Sequence, residues 1–217
     1  MIKVSYLVEQ KKWIGVLGGS SRYDDGQILA AYKVGQELAK RDKYIMTGGT
    51  TGIPYSAAIG AKEGGALVVG ISPASSFEDH VTRFKKPLDY SDLTVYTGMG
   101  VAGRSSVLVQ SVCGSIFIGG ESGTLNEFTA AWMCGNNILG ILTGAGGISD
   151  NLNSLLSEIK TAWGSIVISE KDPVVLVQRV CEEVDKVYAE RLASVSTECI
   201  GKDVRDIINK YKDRNRK

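Results

Sequence analysis

The stretch SIFIGGESGTLNEF, residues 115–128, contains a short apolar run, a glycine-rich turn and the beginning of a helical segment. The run at 115–120 is typical of a strand that is buried on both faces of a sheet. Residues 124–134 then follow as a predicted helix. Because the same order of strand, glycine turn and helix recurs along the chain, this stretch decides the fold class.

Six further apolar runs predict strands, and helical periodicity follows most of them. These runs are residues 13–19, 43–49, 66–73, 93–99, 137–144 and 165–169. The other predicted helices lie near 28–38, 52–65, 102–113 and 152–163, with a long one from Pro173 behind an Asp172 cap, and a short tail helix carrying Val204, Ile207, Ile208 and Tyr211. Residues 74–88 are predicted to be polar and irregular.

This alternation predicts an α/β fold with a doubly wound parallel sheet of about seven strands and helices on both faces. A closed barrel is disfavoured, because eight complete units are missing and the chain is short for one. We expect a single domain over residues 1–217, with a core at 13–190 and a helical tail at 191–217.

Composition excludes several classes of function. The net charge is +1, so no strong field favours nucleic acid or membrane as a partner. The four cysteines are widely separated and the only histidine is His80, so neither a metal site nor a disulfide framework is expected. No signal peptide and no apolar run of about 20 residues is present, which makes a cytoplasmic location the expectation.

Four glycine-rich loops follow predicted strands, at 18–22, 47–52, 98–106 and 119–124. In doubly wound sheets such loops meet at one edge, where glycine backbone, hydroxyl groups and helix N-termini favour an anion such as phosphate. The predicted phosphate- or nucleotide-binding residues are Gly18, Gly19, Ser20, Ser21, Gly48, Gly49, Thr50, Thr51, Gly52, Gly119, Gly120, Glu121, Ser122, Gly123 and Thr124. The simpler interpretation is that turns between strands and helices need glycine in any case.

Two common phosphate-binding classes do not fit these loops. The first loop lacks the G-x-G-x-x-G pattern, and the second strand does not end in the acidic residue that would hold an adenosine ribose. No G-K-[ST] sequence occurs, which excludes a P-loop nucleotide hydrolase.

Arg104 and Glu127 are the charged residues that could act together. Both follow predicted strands, and if those two strands are neighbours the side chains face one pocket. Arginine offers a planar fork for phosphate or carboxylate, and a glutamate can serve as acid, base or electrostatic stabiliser. The alternatives are local: Thr124 and Glu127 fit a helix capping box, and Arg104 could form a surface salt bridge.

These motifs resemble those of the Lonely Guy (LOG) family, also called the lysine-decarboxylase-like Rossmann family. GGESGTLNE is similar to the family signature P-G-G-x-G-T-x-x-E, and TGGTTGIP is similar to its G-G-G-x-x-G-L-M segment. Arg104 matches the arginine before the signature strand. The resemblance covers roughly residues 13–168 and lies nearest the prokaryotic branch that resembles molybdenum-cofactor carrier proteins.

The resemblance implies a Rossmann-like fold and a phosphoribohydrolase-like activity, in which Arg104 and Glu127 are the catalytic pair and the N-glycosidic bond of a nucleoside 5′-monophosphate is cleaved. It also implies a homodimer or a higher homo-oligomer, and we expect no cofactor. Glu121 departs from the family pattern, because it places a carboxylate where the signature has glycine. A non-catalytic nucleotide or molybdenum-cofactor carrier therefore stays open as the alternative.

Overall fold

The computed structural model describes residues 13–135, 137–159 and 163–194, together with residues 206, 208, 209 and 211–213. Its centre is a parallel sheet of seven strands in the order β4-β3-β2-β1-β5-β6-β7. The strands are β1 (Trp13–Gly18), β2 (Tyr44–Thr47), β3 (Val68–Ser72), β4 (Leu93–Tyr96), β5 (Gly114–Ile118), β6 (Ile138–Leu142) and β7 (Ile166–Glu170). The predicted fold class is confirmed.

Seven helices connect and cover these strands in the described part of the chain. They are α1 (Asp25–Lys40), α2 (Ile53–Glu63), α3 (Phe77–Thr82), α4 (Gly100–Gln110), α5 (Ser122–Met133), α6 (Leu152–Glu158) and α7 (Pro173–Ser194), and a 3₁₀ turn, Ile148–Asn151, precedes α6. None of these helices is long and apolar enough to cross a membrane.

The sheet has a hydrophobic core on each face. One core joins α1, α2 and α7 to the sheet, with Val34, Ala57 and Val180 among its fully buried residues. The other joins α4, α5 and α6, and includes Phe117 and Phe128, whose rings meet edge-on at 5.1 Å. The near-continuous apolar strands of the sequence are explained by this double coverage.

The strand order places a topological switch point between β1 and β5. The chain runs outward from β1 to β4 and then crosses back to β5 through α4. In such sheets the crevice for a ligand lies outside the carboxyl ends of the two strands at the switch. The loops at 18–22 and 119–124 meet there.

Two expectations about local structure were wrong. Residues 74–88 contain α3, which is capped by the Ser76 hydroxyl accepting from the Asp79 amide, so the segment is ordered rather than irregular. The helix predicted at 152–163 ends at Glu158, after a 3₁₀ turn. The Asp172 cap before α7 is confirmed by bonds from two amides of the first turn. The tail helix falls mostly outside the described residues.

His80 anchors the segment after α3 to the sheet. It is fully buried, its Nδ1 lies 2.8 Å from the Ser72 hydroxyl, and its Nε2 lies 3.1 Å from the Pro87 carbonyl oxygen. Its own carbonyl accepts from the Lys86 amide at 3.1 Å. These contacts tie the segment after α3 to the end of β3, and they fix the position of Lys86.

Candidate functional site

A cavity of about 120 Å³ lies at the switch point between β1 and β5. Three of the four glycine loops and the start of α4 form its wall. Its lining includes Gly18, Gly19, Ser20, Ser21, Arg22, Gly48, Thr50, Pro54, Val101, Arg104, Glu121, Ser122, Gly123, Thr124 and Glu127. Twelve of these were predicted from the sequence, and the structure brings them together.

Arg104 and Glu127 form a buried ion pair in this wall. The Arg104 Nη1 atom donates to Glu127 Oε1 at 2.6 Å, and each side chain is only 8% exposed. The Arg104 Nε–H is buried and has no hydrogen-bond partner among the described residues. Because a buried N–H is rarely left unpaired, this donor is available to a group that enters the cavity.

The route by which Arg104 reaches Glu127 differs from the expected one. The prediction required β4 and β5 to be neighbours, but β3, β2 and β1 lie between them. Instead, α4 leaves the edge strand β4, passes the face of β3 and packs against α5. The two side chains therefore meet because their helices pack together, not because their strands do.

The capping-box interpretation of Glu127 was wrong. Helix α5 begins at Ser122, so Glu127 is its sixth residue and lies beyond the first turn. The N-cap is Glu121, and it makes no side-chain cap hydrogen bond. A capping box is present elsewhere: Asp24 and Gln27 satisfy each other's amides at the start of α1, which was missed. The Glu127 carboxylate is therefore not needed as a cap.

Burial raises the pKa of the Glu127 carboxyl above its usual range, and the positive charge and hydrogen bond of Arg104, with a hydrogen bond from Ser105, oppose that rise. A carboxyl whose pKa is raised towards neutrality is better suited to accept or donate a proton near physiological pH. Such perturbed groups in a cleft are common at functional sites.

Gly48 provides the space that the Arg104 guanidinium occupies. A Cβ atom built on Gly48 would lie 2.4 Å from Nη2 and 2.5 Å from Cζ of Arg104. Gly48 does not have a positive φ, so close approach, and not backbone conformation, requires glycine there. The end of β2 is thus shaped around the charged pair.

Glu121 does not stand alone in the signature loop. Its Oε1 atom accepts from Arg22 Nη1 at 3.2 Å, and this bond joins the loop after β1 to the loop after β5. Both side chains are exposed, 81% for Arg22 and 55% for Glu121, so the pair is weak and can open. It lies in the wall of the cavity and balances the charge that Glu121 brings.

A second lobe of about 80 Å³ shares Ser20, Gly48, Thr50, Val101 and Arg104 with the main cavity. Its remaining lining is Gly49, Pro73, Phe84 and Lys86. Lys86 was missed by the sequence analysis, because it lies in the segment that was considered irregular. The lysine pair at 85–86 just before Pro87 is the signal that could have indicated it.

Four predicted binding residues lie behind the cavity wall and not in it: Thr51, Gly52, Gly119 and Gly120. The Thr51 hydroxyl donates to the Ser20 carbonyl at 2.8 Å, and Gly52, with φ +75°, allows the Ile53 amide to reach the Gly19 carbonyl. The two glycines after β5 contact the 3₁₀ turn, through bonds with Ser149 and Ile148. They shape the loops without lining the site.

No group of three side chains in the described ranges is arranged to hold a metal ion. The donors of the site are instead arginine, lysine, hydroxyl and backbone groups, which suit an anion.

The SLOG cluster4 family matches residues 11–177 of this chain. An uncharacterised protein of Archaeoglobus fulgidus is 34% identical over 127 residues, which are 58% of this chain and 76% of that protein.

Two solved structures share the fold. The X-ray structure of TM1055 has a TM-score of 0.69 at 24% identity, over 79% of this chain and 99% of that one. The molybdenum cofactor binding protein of Rippkaea orientalis has a TM-score of 0.60 at 28% identity, over 80% of this chain and 94% of that one. The finer assignment to the LOG family stays a prediction.

Replacing Gly48 with alanine should destabilise the protein by about 1–3 kcal/mol, because the new methyl group overlaps the Arg104 guanidinium. Gly123→Ala is the matched control in the same wall: nothing lies within 4 Å of its Cβ position, so it should be neutral or should gain up to about 1 kcal/mol. Urea unfolding measures both. Equal stability of the two variants would contradict the close packing at Gly48.

Replacing Arg104 with methionine should destabilise the protein by about 3–5 kcal/mol at neutral pH, because the buried Glu127 carboxylate loses its partner. Since the folded-state pKa of Glu127 is raised, its contribution to stability is present below the ordinary carboxyl pKa and is lost as pH rises through the folded pKa. The variant raises that pKa further. The deficit relative to the parent, measured by urea unfolding, should therefore be larger at about pH 8 than at about pH 5.

The double variant Arg104→Met, Glu127→Gln removes the titrating group and is the control. Its loss of stability relative to the single variant Glu127→Gln should be nearly independent of pH over the same interval, because neither chain has the titrating carboxyl. If the loss of unfolding free energy in Arg104→Met instead became smaller as pH rises, the unpaired carboxylate of Glu127 would not be the cause of the destabilisation.

Proposed function

Since the chain belongs to the SLOG cluster4 family, we propose that its crevice binds a nucleoside monophosphate or a related phosphorylated nucleotide ligand. The ligand would lie at the carboxyl ends of β1, β2 and β5, against the glycine loops. This is the position at which doubly wound sheets bind ligands. The chemistry of the two lobes together, with hydroxyls, glycine backbone, arginine and lysine, supports an anionic ligand rich in hydroxyl groups.

The buried pair of Arg104 and Glu127 is the observation that carries this proposal. A buried ion pair stabilises a fold poorly, because removing both charges from water costs several kcal/mol per ion. A pair in a cavity wall, with one guanidinium N–H still unpaired, is better explained by a ligand that completes it. Gly48, at the end of β2, leaves the room that this arrangement needs.

The size of the cavity limits which part of a ligand is enclosed. The two lobes, about 120 and about 80 Å³, are smaller than the roughly 300–1,000 Å³ of pockets that enclose a whole drug-sized ligand. They suit a phosphate and a sugar. The base would lie at the mouth, near the exposed Arg22 and Glu121 side chains.

We further propose that the site can hydrolyse the N-glycosidic bond of such a nucleotide. The bond between the anomeric carbon and the base nitrogen breaks with its electron pair going to the base, and water adds to the anomeric carbon. Glu127 would stabilise positive charge on the sugar and accept the proton of that water, as carboxylates do in glycosidic cleavage generally. A proton then passes to the departing base nitrogen, which leaves Glu127 ionised again. Arg104 would orient Glu127. The products are a free base and a sugar phosphate.

Binding without turnover is the second candidate. The exposed salt bridge between Arg22 and Glu121 favours this candidate. It engages a carboxylate and a guanidinium with each other in the loop after β5, where the family signature has glycine. The likeness to the molybdenum cofactor binding protein of Rippkaea orientalis supports a phosphorylated pterin as the alternative ligand. Both candidates place the ligand in the same crevice.

Thermal unfolding with AMP, GMP, ADP-ribose and a reduced pterin phosphate tests binding, and chromatography of the same mixtures tests for released base. A ligand present at about 100 times its Kd should stabilise the folded protein by about 2.7 kcal/mol. If none of the four compounds raises the unfolding midpoint, the proposed function is wrong.

Glu127→Gln separates the two candidates. The amide can still accept a hydrogen bond from Arg104 but cannot accept a proton, so base release should fall about 100-fold or more while binding changes little. Glu158→Gln, the same change at an exposed glutamate at the end of α6 and outside the cavity lining, is the control and should leave base release unchanged. If the parent protein binds but releases no base, the carrier function replaces the hydrolase.

A further inference from the structure

The charges of the main cavity are balanced among themselves. Arg104 is paired with Glu127, and Arg22 is paired with Glu121. No lining residue of this lobe brings a further charge. The two positive and two negative side chains of this lobe therefore cancel, and they remain available as hydrogen-bond donors and acceptors. Such a lobe suits the neutral, hydroxyl-bearing part of a ligand better than its anionic part.

Lys86 is the charge that has no counterpart. It lines the second lobe, is half-buried, and donates to the Thr51 hydroxyl at 3.3 Å. No carboxylate lines this lobe, and within the described residues no ion pair involves Lys86. Burial, and then the positive charge of Arg104, lower the pKa of the Lys86 amine, as is expected of a half-buried amine close to a guanidinium.

The position of Lys86 is fixed by the fold. Its amide donates to the His80 carbonyl, and the next residue, Pro87, is held by the His80 ring. The Thr51 hydroxyl that receives the amine is itself bonded to Ser20 across the crevice. Lys86 is thus attached at both its backbone and its amine, on the side of the cavity formed by the loop after β2.

The loop after β5 is less favourable to an anion. Glu121 is the N-cap residue of α5; its side chain makes no cap hydrogen bond, but its negative charge near the helix N-terminus opposes a second anion there. The loop after β2 has the opposite character: Gly48, Gly49 and Thr50 line a lobe that contains Arg104 and Lys86 and no acidic side chain.

We propose that Lys86 and Arg104 form an anion subsite in the second lobe, and that this subsite holds the phosphate of the ligand. The sugar then lies in the main lobe beside Glu127 and Glu121, whose carboxylates accept hydrogen bonds from its hydroxyls. This inference rests on the proposed function for the identity of the ligand, but the subsite itself binds inorganic phosphate. A compact phosphate monoester fits the lobe of about 80 Å³.

Isothermal titration with inorganic phosphate, and with AMP and adenosine, tests the subsite on the full chain. Lys86→Met should weaken phosphate binding about tenfold or more, the loss expected for one charge-assisted hydrogen bond. Lys86→Arg keeps the charge and should stay within about threefold of the parent. Lys85→Met, the exposed neighbour outside the lobe, removes the same formal charge and should change the affinity less than about twofold.

The parent should bind AMP more tightly than adenosine. In Lys86→Met the ratio of the two affinities should fall towards one, while the affinity for adenosine is unchanged. If Lys86→Met binds phosphate and AMP as tightly as the parent does, or if Lys85→Met loses as much affinity, the subsite is wrong and the proposed function can still stand. If phosphate binds through Lys86 but no nucleotide or pterin binds, the subsite stands and the proposed function fails. If phosphate does not bind the parent, the subsite is wrong.

Discussion

The ion pair between Arg104 and Glu127 is the constraint on which the rest of the site depends. Two charged side chains that are 92% buried need partners, space and a fixed backbone. The packing of α4 on α5 supplies the partners, Gly48 supplies the space, and the strand order brings the loops of β1, β2 and β5 around them. The raised pKa of Glu127 follows from the same burial. The two residues that the packing of the fold holds in place are therefore also the candidate catalytic residues.

The charges around that pair make the two sides of the crevice different, and this difference orients the ligand. On one side, Arg22 and Glu121 neutralise each other across the mouth, and on the other Lys86 stands with Arg104 and no acid. Glu121 looked like an obstacle to a phosphate when only the sequence was considered. In the structure it is a paired group on the side away from Lys86, which fits a ligand whose anionic end lies against the loop after β2 and whose base faces solvent.

The sequence was sufficient for the elements that depend on local pattern. The seven apolar runs identified all seven strands; in the five inner strands burial on both faces leaves a nearly unbroken apolar run, whereas the edge strands β4 and β7 are partly exposed. Ten of the fifteen predicted loop residues line the main cavity together with Arg104 and Glu127, and Gly49 lines the second lobe. These residues could be predicted because the ends of the strands could be predicted. Three features could not be predicted from local sequence pattern. These are the separation of β4 from β5 in the sheet and the start of α5 at Ser122. The third is the position of Lys86, which depends on a hydrogen bond to His80 in a segment without apolar periodicity.

A crystal structure of the protein with AMP bound would test the central claim most directly. The account predicts AMP at the switch point, with its phosphate within hydrogen-bond distance of Lys86 Nζ and of the Arg104 guanidinium, and with its ribose beside the Glu127 carboxylate. AMP bound elsewhere, for example in the groove between α4 and α5 that Gln110 and Met133 line, would contradict the account. A phosphate seated against Glu121 would leave the crevice in place but reverse the direction assigned to it.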